Sequence, residues 1–293
     1  MAFVRVHGVL LEYETVGSGE PVVLIHGGLL ADENRPLLGE PALTGAYQVV
    51  SYTRRGFGGS SRDAKATIAD HAADLVGLIA ELGLGPAHLV GHSLGGAIAL
   101  EAAVTAPSRV RSLALLEPAL MGQIAKVRGE HDPGVARARL RFRRAFDEVL
   151  AIARTGDKRA ALLAFLQSRA SEAFRAVLDF LTESGDFDRA VVDADTFLQV
   201  EMPAAFAWDF GPERAARVAQ PVLSILGARS PERARIVHWV LREWVPQTQE
   251  FVLADAGHAL PLMDPAGLAA GLSRFLDGAA AAGVGGRRSE VTS

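Results

Sequence analysis

Apolar residues begin the chain in three short runs. Phe3–His7 and Val9–Val16 alternate around a His7-Gly8 turn, and Gly17-Ser18-Gly19 separates them from Pro21–Ile25. Alternation at period two predicts half-buried strands, whereas the unbroken PVVLI run predicts a strand covered on both faces. Tyr47–Tyr52 predicts a fourth strand. Between residues 67 and 82 the period changes, with Ile68, Ala72, Leu75, Leu78, Ile79 and Leu82 on one helical face. Ala87–Val90 follows as a buried strand, then a glycine-rich turn into a helix at Ala97–Val104, then a strand at Ser112–Leu116. The rhythm resumes with strands at Pro221–Leu226 and Glu250–Leu253 and a closing helix from Pro265 to Leu276. Such alternation predicts an α/β fold with a mostly parallel sheet and helices on both faces.

Residues 119–218 break that rhythm. They hold helical patterns only, at Val135–Ala153, Arg159–Ala170, Phe174–Leu181 and Asp193–Trp208, with a loop expected at Thr182–Asp188. The expected organisation is a core of residues 1–118 and 219–277, with an all-helical cap of residues 119–218 over the C-terminal edge of the sheet. Residues 278–293, rich in alanine and glycine and then in polar residues, read as a disordered tail.

Composition narrows the function classes. Across 293 residues, 49% are hydrophobic and 22% charged, which is the balance of a globular chain. The net charge of -4 gives no pull toward polyanions. Arg137, Arg139, Arg141, Arg143 and Arg144 do cluster, but Phe142, Phe146 and Val149 fall at helical spacing among them. The arginines therefore read as the wet face of an amphipathic helix, not as a nucleic-acid surface. The chain has no cysteine, which removes disulfides, thiolate metal sites and a cysteine nucleophile together. Its N-terminal segment lacks the basic head and apolar run of a signal peptide, and no stretch reaches the roughly 18 apolar residues of a membrane span. The expectation is a cytoplasmic protein that acts on a small molecule, without a metal or cofactor.

The strongest chemical signal is Gly91-His92-Ser93-Leu94-Gly95-Gly96, directly after a buried strand and directly before a helix. A serine at so sharp a turn needs strained dihedrals and small neighbours two residues to either side, which the glycines supply. The turn lifts the Ser93 hydroxyl into the crevice at the strand end, above a helix N-terminus that favours developing negative charge. Of the eight histidines, only His258 lies in a loop between a strand and the closing helix, preceded by a freeing glycine. It is the candidate base that takes the Ser93 proton and returns it to the leaving group.

With these motifs in order, residues 3–277 resemble the α/β-hydrolase superfamily. His26-Gly27-Gly28 follows the third strand, Arg54-Arg55-Gly56-Phe57-Gly58-Gly59-Ser60 the fourth and GHSLGG the fifth, and Asp255-Ala256-Gly257-His258 lies near the C-terminus. The resemblance implies an oxyanion site formed by the backbone N–H groups of Gly28 and Leu94, with His26 bracing the loop. It also implies an acid three residues past the glycine that ends the seventh strand. That stretch reads Gly227-Ala228-Arg229-Ser230, so a serine stands where the carboxylate is expected. Glu117, directly after the sixth strand, is the substitute that the resemblance offers. Haloalkane dehalogenases and zearalenone-type lactone hydrolases place their acid there. Glu232, Asp255 and Asp264 are the other carboxylates within reach of the same region.

Aspartate-nucleophile chemistries, epoxide hydrolysis and haloalkane dehalogenation, conflict with Ser93. Hydrolysis of an ester or lactone through an acyl-enzyme is the leading expectation. C–C bond hydrolysis, acyl transfer or cyclisation would use the same residues, and a ligand-binding relative with a vestigial triad is the non-enzymatic alternative. Phe197, Phe206, Trp208 and Phe210 cluster before the seventh strand and are expected to line an apolar substrate pocket.

Overall fold

The computed structural model describes residues 1–62, 65–129, 131–168 and 174–285. Eight strands form one sheet: β1 Ala2–Val6, β2 Val9–Val16, β3 Glu20–Ile25, β4 Tyr47–Thr53, β5 Ala87–His92, β6 Val110–Leu116, β7 Val222–Gly227 and β8 Thr248–Leu253. Their spatial order is β1-β2-β4-β3-β5-β6-β7-β8. β2 runs antiparallel to β1 and β4, and every pairing from β4 through to β8 is parallel. The composition follows this division. β1 and β2 mix exposed and buried positions, whereas β5 and β7 are buried along their whole length, as strands covered on both faces must be.

Two apolar layers sandwich the sheet. On one face the helices Ile68–Glu81, Leu94–Thr105 and Glu232–Trp244 pack onto Val23, Leu89, Leu113 and Val222. On the other, the helix Pro265–Gly285 brings Leu268, Leu272 and Leu276 against Leu24, Val90 and Ile225. The helix Ile68–Glu81 starts on a capping box, with Thr67 accepting from the Asp70 N–H while the Asp70 carboxylate accepts from the Thr67 N–H.

Between β6 and β7 the described residues hold helices and turns and no strand. A separate apolar cluster binds Phe146, Phe165, Phe187 and Phe197 of this segment to Leu29, Leu30 and Phe57 of the loops below. In Pro133–Ala153 all five arginines are exposed and Val135, Ala138, Phe146 and Val149 are buried, in agreement with the amphipathic reading. Among the described residues no helix is long and apolar enough to cross a membrane.

Several elements differ from the sequence pattern. The closing helix does not stop at Leu276 but runs to Gly285, so residues 278–285 are helical, not disordered. The run of four alanines there outweighs its three glycines in helix propensity. The rest of the proposed tail, 286–293, lies outside the described residues. Thr182–Asp188 is not an open loop, because one helix ends at Glu183 and the next begins at Asp186, turning on Gly185 at φ 74°. Two helices, Met121–Arg128 and Glu232–Trp244, have no counterpart in the pattern. The first is too short and polar to show a period, and the apolar stripe of the second is interrupted by the buried His238.

Candidate active site

β5 ends at His92 and the next helix begins at Leu94, which leaves Ser93 alone in the turn. Its backbone sits at φ 50° and ψ −111°, a conformation that costs a non-glycine residue about 1–3 kcal/mol. Surrounding hydrogen bonds hold it there. The Ser93 N–H donates to the Leu116 carbonyl at 2.9 Å, and the Ser93 carbonyl accepts from the N–H groups of Gly96 at 3.1 Å and Ala119 at 2.8 Å. The flanking glycines are a packing necessity. A Cβ on Gly91 would lie 2.4 Å from the Gly95 carbonyl oxygen, and one on Gly95 would lie 2.2 Å from that of Ile25.

Glu117 directly follows β6 and is a second non-glycine residue at positive φ, 45°. That turn sends its side chain under the tip of the neighbouring β7. Its Oε1 accepts from the Gly227 N–H at 2.9 Å and from the Ser230 hydroxyl, while Oε2 faces His258 Nδ1 at 2.7 Å. Burial pushes the Glu117 pKa up. The hydrogen bond and charge of His258, with the Ser230 and Gly227 donors, outweigh it and hold the carboxyl below the ordinary carboxylate range. Ser230 thus occupies the position where the resemblance implied an acid and donates to the carboxylate that reaches it from the next strand. Glu232 is exposed against Arg141, Asp255 pairs with Arg229 at 2.6 Å, and Asp264 accepts from the Gly267 N–H.

A further layer of buried charge has no motif in the sequence. Glu33 Oε1 accepts from the Gly27 N–H at 2.5 Å and from His92 Nδ1 at 2.8 Å, and His92 Nε2 donates to the His258 carbonyl at 2.8 Å. Both His92 nitrogens therefore donate, which fits its shift. Burial alone would lower its pKa, but Glu33 reverses this and the net direction is upward. The pair ties the His26-Gly27-Gly28 loop to the loop that carries His258. On the other side, Arg54 pairs with Glu201 and donates to the Gly27 carbonyl at 2.7 Å, while its N–H donates to His26 Nε2 at 3.0 Å. His26 Nδ1 then donates to its neighbour's carbonyl, a bracing role. Glu201 closes a π-helical turn, Thr196–Glu201, and burial pushes its pKa up to about 7 despite Arg54. That pair pins the helical segment to the loop beneath it.

These loops enclose a cleft of about 1060 Å³, counted with its open mouth. Ser93, His258, Glu117, Gly28 and Leu94 all border it. Phe197 and Phe206 supply part of its apolar wall, and Phe197 lies so close over Gly28 that a Cβ there would meet its ring at 2.6 Å. Trp208 and Phe210 do not line it. Trp208 stacks on Phe210 at 4.7 Å and donates its indole N–H to the buried Glu101 at 2.7 Å, in the core beside the helix Leu94–Thr105. The indole needed a buried acceptor, and Glu101 on that helix supplies it. Among the described residues no cluster of three or more His, Asp or Glu is arranged to hold a metal.

Comparison with known proteins adds sequence likeness to this geometry. The chain is 39% identical over 121 residues to the dihydrolipoyllysine-residue acetyltransferase component of the acetoin cleaving system of Cupriavidus necator, covering 41% of this chain and 32% of that protein. It is 38% identical over 117 residues to 2-hydroxymuconate semialdehyde hydrolase of Pseudomonas sp. CF600, covering 37% of this chain and 40% of that one. The matches thus span about a third to two-fifths of the relatives' lengths. A thermophilic esterase from Thermogutta terrifontis superposes with a TM-score of 0.74 at 22% identity, over 95% of this chain and 99% of that one, a likeness of fold. The α/β hydrolase fold family matches residues 20–265, a stretch that runs from β3 past His258 and contains Gly28, Ser93 and Glu117. The strand order, the strained serine turn and this match agree, and the chain belongs to the α/β hydrolase fold family.

Proposed function

We propose that the protein hydrolyses a carboxylic ester or lactone through an acyl-enzyme, with Ser93 as nucleophile, His258 as general base and Glu117 as the acid that orients it. The observation that carries this reading is the 2.7 Å contact between His258 Nδ1 and Glu117 Oε2 at a cleft bordered by Ser93. A carboxylate on Nδ1 fixes the proton on that nitrogen and leaves Nε2 to accept the serine proton. Ser93 then attacks the carbonyl carbon. The developing oxyanion is met by the N–H groups of Gly28 and Leu94, each such donor contributing about 10²–10³ in rate. His258 passes the proton to the leaving oxygen, and water repeats the cycle on the acyl-enzyme. Residues 119–218 act as a cap that supplies the apolar roof, with Phe197 and Phe206 against the substrate body.

A second reading is C–C bond hydrolysis by the same triad, which the likeness to 2-hydroxymuconate semialdehyde hydrolase supports. Incubation with a serine-reactive fluorophosphonate tests the common core of both. One adduct on Ser93, absent in Ser93→Ala, is the expected mass-spectrometric result. Parallel assays with p-nitrophenyl esters, lactones and a vinylogous diketone separate the two. Labelling elsewhere, or none, would overturn the nucleophile assignment.

A further inference from the structure

The proposed mechanism leaves one charged side chain of the cleft wall unused. Arg233 is the second residue of the helix Glu232–Trp244, and Ala234 and Val237 of the same helix border the cleft with it. Neighbouring cations are already committed: Arg54 to Glu201, Arg229 to Asp255, and Arg235 to the Ser230 carbonyl at 2.9 Å. Arg233 differs. Its Nη2 is buried and has no hydrogen-bond acceptor among the described residues.

The two carboxylates of the cleft wall do not take that role. Glu117 is near enough to act on Arg233 through its charge, yet its Oε1 already accepts from Gly227 and Ser230 and its Oε2 faces His258. Glu33 is held by the Gly27 N–H and by His92. Burial pushes the Arg233 pKa down and Glu117 opposes that, but a guanidinium stays protonated throughout the physiological range. A buried guanidinium nitrogen without an acceptor is costly unless an anion arrives to meet it. The remainder of the wall, Met121, Phe142, Phe165 and Phe206 among it, is mostly apolar and suits a hydrocarbon chain.

We propose that Arg233 recognises a carboxylate, and that the substrate is an ester or lactone whose apolar body ends in a free acid seated on this guanidinium. The identification of the scissile bond rests on the hydrolase reading above. The anion site rests on Arg233 itself, so the two are separable. The planar fork of a half-buried arginine matches a carboxylate bidentately, which a neutral analogue of equal length cannot reproduce.

The test uses matched pairs that differ only in the charge: the 4-nitrophenyl monoester of glutaric acid against 4-nitrophenyl valerate, and 3-carboxyphenyl valerate against phenyl valerate. In at least one pair the wild-type enzyme should prefer the acid. Arg233→Met should cut kcat/KM for that acid about 10²-fold and leave its neutral partner within about threefold. Arg233→Lys should retain part of the preference, and Arg233→Gln serves where the methionine variant does not fold. Calorimetric binding of methyl hydrogen glutarate and dimethyl glutarate to the Ser93→Ala protein, with and without Arg233→Met, reads the same site without turnover. Arg233-dependent binding of the monoanion without hydrolysis of any ester would sink the hydrolase reading and keep the anion site. Equal loss on acid and neutral esters would mean that Arg233 acts only on Glu117, and would overturn the proposal. So would turnover and binding that show no preference for the acid in any pair.

Discussion

Replacing Glu117 by glutamine exchanges one carboxylate oxygen for an amide nitrogen and tests the proposed triad most directly. The carboxylate receives three hydrogen bonds, two on Oε1 and one on Oε2. An amide has one accepting oxygen and one donating nitrogen. With its oxygen at the Oε1 position it keeps the Gly227 and Ser230 donors, but its NH₂ then faces His258 Nδ1. That nitrogen must become the acceptor, which moves the imidazole proton to Nε2 and removes the lone pair needed for Ser93. Turning the amide over restores the correct tautomer but sets its NH₂ against the buried Gly227 N–H, at about 1–3 kcal/mol for the unmet donors. The wrong tautomer is therefore favoured, and the charge that steadies the imidazolium is gone in either orientation. Acid-to-amide replacement in a serine triad costs about 10⁴ in rate, or roughly 5.5 kcal/mol. Glu117→Gln should fall by that order in kcat on a p-nitrophenyl ester, with KM within about threefold. Ser230→Ala, which leaves one donor on Oε1, and Glu232→Gln, on the surface, should stay within about tenfold of wild type. A Glu117→Gln enzyme that is folded and keeps more than about a tenth of wild-type turnover would refute the argument.

Ser93→Ala and His258→Ala should each abolish ester turnover, and the double variant should be no worse than either, because the two act as one unit. Steady-state kinetics of all three checks this, and a further large drop in the double variant would break the pairing. Glu117 is held below its ordinary value of 4.5 in the folded chain, so folding favours its ionised form. That stabilisation is complete above the unfolded value and fades as pH falls through the lowered folded value. Urea titrations between roughly pH 3 and 6 should therefore show a flatter acid limb in Glu117→Gln than in wild type. Gly95→Ala drives a Cβ to 2.2 Å from the Ile25 carbonyl oxygen, so backbone must move. Overpacking of this kind costs about 1–3 kcal/mol, visible as a melting temperature lowered by several degrees.

The sheet was legible because burial on both faces leaves a simple mark: PVVLI is apolar throughout, the run from Ala87 to Val90 is apolar but for the buried His88, and each lies where a strand forms. Ser93 was legible because the turn around it admits only glycine at positions 91 and 95. Glu33, Arg54, Glu201 and Arg233 left no such mark. Their meaning lies in pairings across 147 residues, as for Arg54 and Glu201, or in the lack of a pairing, and no local pattern encodes either. Trp208 and Phe210 misled for a related reason. Aromatic clustering predicts burial, but which cavity or core receives the rings depends on where Glu101 stands on another helix.

In the proposed triad, Ser230 lets the acid change strands without rebuilding the site. The tip of β7 offers two donors, the Gly227 N–H and the Ser230 hydroxyl. A carboxylate arriving from β6 finds both, provided the backbone turns sharply enough to aim it there. The positive φ of Glu117 supplies that turn, at a strain cost of about 1–3 kcal/mol. Three hydrogen bonds to an ionised carboxylate, each contributing about 1.5–3 kcal/mol, exceed that cost. The strain and the serine are therefore complementary features of one arrangement. Their energetic coupling implies that the relocated pair, Glu117→Ala with Ser230→Asp, changes the strain at residue 117 while returning a charge to the β7 tip. Recovery of part of the lost rate in that double variant, relative to Glu117→Ala alone, is the outcome the geometry favours. No recovery, with a crystal structure showing the introduced aspartate hydrogen-bonded to His258, would mean that the position of the negative charge alone does not account for the role of Glu117.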